Sequence, residues 1–375
     1  MRIVTVFLGA VLAVTSVCAT PPASADPVTG TVVAQSAVPT VNLPSEAARG
    51  VAVRYTTRDQ NGRPALSTGA VYYPRRAVPA DGWQVVSWAH GTSGISARCA
   101  PSVQSGQLLD RDQPTISGAL RRGYVVTATD YIGLGGGGVA EYLGGRSSAF
   151  NVIDMVRAAR SIDPVIGKRW VSLGHSQGGH AALWASRVAP RYAPELTMLG
   201  TVAIAPASQI TTIVPLFQQP GTPSLGYFNS MSGFGLYVMS GLNHARPDVH
   251  ALDYLTPVGR EWVAKSRNLC VHDLVVALRT VAPGTLYARS TSSSPAFMAA
   301  LRDYAGIPAT GFVRPVRLEQ GLTDDVVSPI GTLALQDQLR AAGVAVAMGV
   351  YPGDHMAVTR QSMADTMGTV ARYFR

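Results

Sequence analysis

The sequence predicts an α/β architecture, a mostly parallel sheet flanked by helices and interrupted by a helical insertion. Three observations predict it. From about residue 84 onward, short apolar runs of strand length alternate with longer stretches of helical periodicity. The short runs are apolar throughout, as strands covered on both faces are. Between residues 207 and 310 the alternation stops and only helix-like pieces follow, a span too long for an ordinary connection.

Taken in order, residues 1–25 carry a basic start, an apolar centre and an Ala-x-Ala ending at Ala25, the pattern of a secretory signal peptide cut before Asp26. Residues 26–44 are small, polar and aperiodic and read as an irregular leader. The core's first part, 45–206, opens with a hairpin, strands at 51–55 and 67–73 around a turn-rich 59–64. Strands at 84–89, 123–129, 170–173 and 201–205 follow, with helices at 148–162 and 178–188. The insertion, 207–310, reads as helices at 209–217, 247–265, 272–280 and 295–304, broken at 220–221, 230–235 and 290–294. It looks like a cap over the sheet, or a structural embellishment. In 311–375 the alternation resumes with strands at 316–320 and 344–351 and helices at 330–342 and 358–373.

Composition narrows the function classes. A hydrophobic fraction of 47% with 14% charged residues excludes a disordered chain. The net charge of +9 is almost all arginine, since Lys168 and Lys265 are the only lysines, and it is scattered singly or in pairs. Such scatter argues against nucleic-acid binding and leaves attraction to an anionic surface. Removing the signal leaves Cys99 and Cys270, which in an exported chain read as one disulfide or as two separate buried thiols. No Cys/His cluster has zinc-ligand spacing, and no metal or organic cofactor is expected.

The chemistry centres on Gly174, His175, Ser176, Gln177 and Gly178, a G-x-S-x-G between a strand-like and a helix-like run. Alone the pattern is weak, because glycine is common in this chain. A serine hydroxyl also needs a base to take its proton and a carboxylate to orient that base. Asp324 follows the strand at 316–320 with Asp325 beside it as a rival, and His355 follows the strand ending at Tyr351 with Asp354 read as a loop residue. Two N–H donors would stabilise a developing oxyanion. One is the amide of Gln177; the other comes from the bend after the strand at 84–89, where Thr92 is favoured and Gly91 is close behind. The glycine-rich stretch 130–138 lacks the residues of a phosphate-binding loop and reads as a flexible loop near the acyl site.

His90-Gly91-Thr92, the D-Y-x-G-L-G of 130–135, the elbow around Ser176, the G-x-x-D ending at Asp324, and His355 together resemble the secretory lipase family of α/β-hydrolases over residues 45–375. The resemblance implies the α/β-hydrolase fold, a triad of Ser176, Asp324 and His355, and hydrolysis of carboxylic esters such as acylglycerols. It implies that 207–310 is a helical lid and that Cys99 and Cys270 bridge the oxyanion side to it. Ester or lipid substrates are the expected partners; the apolar pieces of the lid suit an acyl groove, contact with a lipid surface, or the lid's own core. Alternatives on the same residues are acyl transfer to another acceptor, peptide hydrolysis, and a binding module on an inactive scaffold.

Overall fold

The computed structural model describes residues 28–103, 107–224 and 226–375. The expected signal peptide and its cleavage site lie outside the described residues. Three antiparallel strands begin the chain: β1 (Val32–Ala37), β2 (Ala47–Arg58) and β3 (Pro64–Pro74). β1 corrects the expectation of an irregular leader. Its residues are mostly exposed and its apolar ones do not alternate with polar ones; pairing with β2 fixes them through backbone hydrogen bonds.

The alternating part continues with β4 (Trp83–Ala89), α1 (Gln107–Arg121), β5 (Val125–Thr129), α2 (Gly145–Ile162), β6 (Ile166–His175), α3 (Gln177–Tyr192) and β7 (Thr197–Ile204). The insertion supplies α4 (Ile210–Phe217), α5 (Gly226–Ala245), α6 (Pro257–Ser266), α7 (Val271–Leu278) and α8 (Pro295–Ala305). The chain ends with β8 (Val316–Gly321), α9 (Pro329–Ala341), β9 (Val346–Tyr351), α10 (Ala357–Gln361) and α11 (Met363–Phe374). Among the described residues nine strands form one sheet in the order β1-β2-β3-β5-β4-β6-β7-β8-β9, parallel from β5 to β9.

Alternation along the strands assigns each residue to a face. Val71, Val85, Val125 and Trp170 pack against α2 and α3; their neighbours Tyr72, Val86, Val126 and Val171 pack on the other face with α1 and α11. The sheet is therefore covered on both sides, which is why its strands read as unbroken apolar runs. The parallel strands all end at the same edge, and the loops leaving β4, β6, β8 and β9 meet there. The site is built from these loops.

The insertion has a core of its own, in which Leu236, Tyr237, Leu242, Phe297, Leu301 and Tyr304 pack on Tyr142 and Leu143 from the loop before α2. Its longest helix, α5, runs straight through 230–235, where glycines and serines were expected to break it. The glycines of α5 let neighbours approach. A Cβ on Gly233 would lie 3.2 Å from Leu274 of α7, and one on Gly241 would lie 2.2 Å from the Tyr304 hydroxyl. Burial along the helix outweighs a propensity cost of about 1 kcal/mol per glycine.

Candidate active site

Ser176 sits between the last residue of β6 and the first of α3, with φ 58° and ψ −119°. An L-residue adopts that backbone only under constraint. Close packing supplies it: a Cβ on Gly174 would lie 2.1 Å from the Gly178 carbonyl oxygen, and one on Gly178 only 1.8 Å from that of Ala89. The Ser176 N–H donates to Ile204 O (2.9 Å), and its carbonyl accepts from the N–H groups of His180 and Ala207, both at 3.1 Å. The motif's glycines are thus demanded by the approach of β4 and α3 to the turn.

Asp324 leaves β8 and His355 leaves β9, and the two meet: His355 Nδ1–H donates to Asp324 Oδ2 at 2.8 Å. Asp325, the rival, is exposed. Asp354 accepts the N–H groups of Met356 (3.0 Å) and Ala357 (2.7 Å) at the start of α10. Asp324 Oδ1 accepts from Val326 N–H (2.9 Å) and Val327 N–H (2.8 Å), and Gln320 Nε2 donates to Oδ2 (3.0 Å). Burial pushes this carboxyl upward, but the bond and charge of His355 and the two backbone donors outweigh it, so the acid lies below its ordinary range. It is held as a carboxylate.

The bend after β4 lies against the elbow. A Cβ on Gly91 would stand 3.3 Å from His175 Nδ1 and 3.6 Å from Ser176 Cβ. Thr92 Oγ1 pairs with the Tyr142 hydroxyl at 2.8 Å. Gln177 heads α3, where the first N–H groups of a helix have no intrahelical acceptor. Cys99 and Cys270 are joined, with Cα atoms 5.5 Å apart, and Val271 N–H donates to Ser93 O at 2.9 Å. The start of α7 is therefore fastened beside the Thr92 bend.

Three residues near the site make contacts that the sequence reading did not assign. His175 gives its Nε2–H to the His355 carbonyl at 2.8 Å; burial, with the charges of His355 and Arg111, pushes its own pKa well down. Arg111 of α1 binds the carbonyls of Gly91 and Thr92. Asp130 accepts hydrogen bonds from Thr68 and from the backbone and hydroxyl of Ser102. Asp130, Tyr131, Ile132 and Leu134 are all buried, so the front of this stretch is an anchored core segment, contrary to the flexible loop expected from its glycines. The D-Y pair was the available signal.

Two cavities meet at Ser176. An inner, narrow one of about 70 Å³ runs under the insertion between Leu143, Ile213, Val214, Phe234, Val238 and Val327. An outer cleft of about 590 Å³ holds His355, Asp354, Met356, Arg111, His272 and Asp325. Ser176, Thr92, Phe234 and Val326 border both. Helix α5 thus divides its apolar residues: Leu236 and Tyr237 build the insertion's core, while Phe234 faces the cavities.

The sequence profile of secretory lipases matches residues 100–296, just over half of the chain. The chain belongs to the secretory lipase family. Lipase A of Moesziomyces aphidis is 28% identical over 233 residues, 59% of this chain and 47% of that one. A Mycobacterium tuberculosis protein described as a probable inactive lipase is 25% identical over 240 residues, 60% of this chain and 50% of that one. The matched segment thus spans about half the length of these relatives. Among solved structures, Candida antarctica lipase A in its closed state superposes with a TM-score of 0.76 over 92% of this chain and 82% of that one, at 20% identity. At that identity the likeness is one of fold, and this secretory lipase family member has the α/β-hydrolase fold.

Proposed function

We propose that the protein is an exported serine carboxylic ester hydrolase acting on lipid esters of the acylglycerol type. Ser176 Oγ attacks the ester carbonyl while His355 Nε2 takes its proton, and the Asp324 carboxylate orients the ring and offsets its charge. The N–H groups of Gln177 and Thr92 hold the oxyanion. His355 then returns the proton to the departing alkoxide, and water repeats the sequence on the acyl-enzyme. One observation carries this reading: His355, hydrogen-bonded to Asp324 behind it, opens on the same cleft as a serine held in a strained turn.

The two cavities divide the substrate. A leaving alcohol must depart beside the group that protonates it, and His355 borders the outer cleft. That leaves the inner apolar cavity for the acyl chain, under the insertion of 207–310 acting as a lid. Export is supported by the signal-like first 25 residues and by the disulfide.

The test is p-nitrophenyl ester turnover combined with labelling by a fluorophosphonate. Wild type should be labelled at Ser176 and turn over ester, and Ser176→Ala should lose both, with kcat down at least about 10³-fold. Turnover surviving Ser176→Ala undiminished would sink the mechanism. An unlabelled wild type would mean an inactive scaffold, the description given to the mycobacterial relative.

A further inference from the structure

We propose that Arg111 is a positioning residue of the oxyanion site, fixing and strengthening the Thr92 N–H through the carbonyls on either side of it. The inference rests on the hydrolase reading above. Arg111 Nη2 donates to Gly91 O at 3.2 Å, and Nη1 donates to Thr92 O at 2.9 Å. One guanidinium therefore grips two consecutive peptide units, and Thr92 is the residue between them. With both carbonyls fixed, the direction of the Thr92 N–H is fixed too.

The same contacts bear on donor strength. Gly91 C=O and Thr92 N–H are opposite ends of one trans peptide, so they point in opposite directions. Hydrogen bonds accepted at the oxygen draw electron density from the nitrogen and make the N–H a better donor, by about 10–30% per bond. The Gly91 oxygen accepts two: the one from Arg111, and one from His90 Nδ1–H at 2.6 Å. His90 is buried, and burial lowers its pKa.

Arg111 is itself held for the task. Its Nε and Nη2 donate to the two oxygens of Asp112 at 2.9 and 3.1 Å, setting the plane of the guanidinium. Its side chain is 13% exposed, so water competes little for these hydrogen bonds. A lysine would bring the charge without the planar fork that spans both carbonyls.

The experiment compares wild type, Arg111→Met and Arg111→Lys on a matched oxygen ester and thionoester, with active sites titrated by a fluorophosphonate. Sulfur is a poor acceptor, so a good oxyanion site favours the oxygen ester strongly and a weakened one less. Arg111→Met should lower kcat per titrated site about 10- to 100-fold with KM little changed, and should shrink the oxygen-to-sulfur rate ratio by a comparable factor. Arg111→Lys should recover part of both. A loss confined to melting temperature or titratable fraction overturns the inference, because folding alone would explain it. An unchanged oxygen-to-sulfur ratio overturns it as well, whatever happens to kcat. If wild type hydrolyses no ester, or Ser176→Ala hydrolyses as well as wild type, the hydrolase reading falls and takes this inference with it; a Ser176-dependent wild type matched by Arg111→Met sinks this inference alone.

Discussion

The carboxylate of Asp324 accepts hydrogen bonds from His355, Gln320, Val326 and Val327, so its two oxygens are used for more than the histidine. Asn at this position keeps the size but replaces one acceptor by a donor, which turns the His355 ring toward the wrong tautomer. Asp324→Asn should therefore cut kcat by about 10²- to 10⁴-fold while KM changes little. It should also alter the acid side of the stability profile. Because the folded state lowers this acid, its contribution is complete above the ordinary carboxyl value of 3.8 and is lost as pH falls through the lower folded value. Urea midpoints should drop more steeply below about pH 4 for wild type than for the variant; parallel profiles would refute the assignment. Spacing favoured Asp324 over its neighbour Asp325, because G-x-x-D marks where a strand opens into a turn. Nothing in the spacing could single out Arg111, whose role depends on α1 crossing behind the Thr92 bend.

At the scale of elements, the Cys99–Cys270 bond closes a separation of 171 residues and ties the segment beside Thr92 to α7. The chain-entropy account gives about 5 kcal/mol for such a loop, with 2–4 kcal/mol typical of measured bonds. Replacing both cysteines by serine should lower stability by about that typical amount. The loss should be local as well: amides of Ser93, Gly94 and α7 should exchange faster in hydrogen-exchange measurements, since a Val271–Ser93 hydrogen bond, a short Gly94–Cys270 bridge and an exposed Arg98–Asp273 ion pair then hold the junction without it. Uniform exchange across the chain would show that the bond stabilises without fastening this junction. The central strands β4 to β7 were legible because each is largely buried and leaves an apolar run. β1 was not, since its partner is a neighbouring backbone; nor was α5, since its glycines weaken a helix locally and favour it only once α7 and α8 are packed against it.

For the whole molecule, the hidden part was how the insertion is seated on the sheet, because its contacts join residues far apart in sequence. Gln60 and Asn61, in the turn between β2 and β3, are at the centre of that seat. Gln60 Oε1 accepts the N–H groups of Arg146 (3.0 Å) and Ser147 (3.1 Å) at the start of α2, and Asn61 Nδ2 donates to Ala245 O (2.8 Å) at the end of α5. Glu141 lies among them, with Oε2 accepting the Gln60 N–H at 2.8 Å while Gly241 of α5 packs against its Cα. Burial lifts this carboxyl from 4.5 to about 7, against the pull of the Gln60 N–H. The folded protein therefore holds a proton here that the unfolded chain releases. Stability from this group is complete below about pH 4.5, declines as pH rises, and is gone above about pH 7. The lift corresponds to about 3 kcal/mol. Glu141→Gln, which cannot ionise, should match wild type near pH 4 and exceed it by about that amount at pH 8. Urea midpoints for both proteins across this range measure the difference, and a constant gap between them would mean that Glu141 does not carry the seat's response to pH.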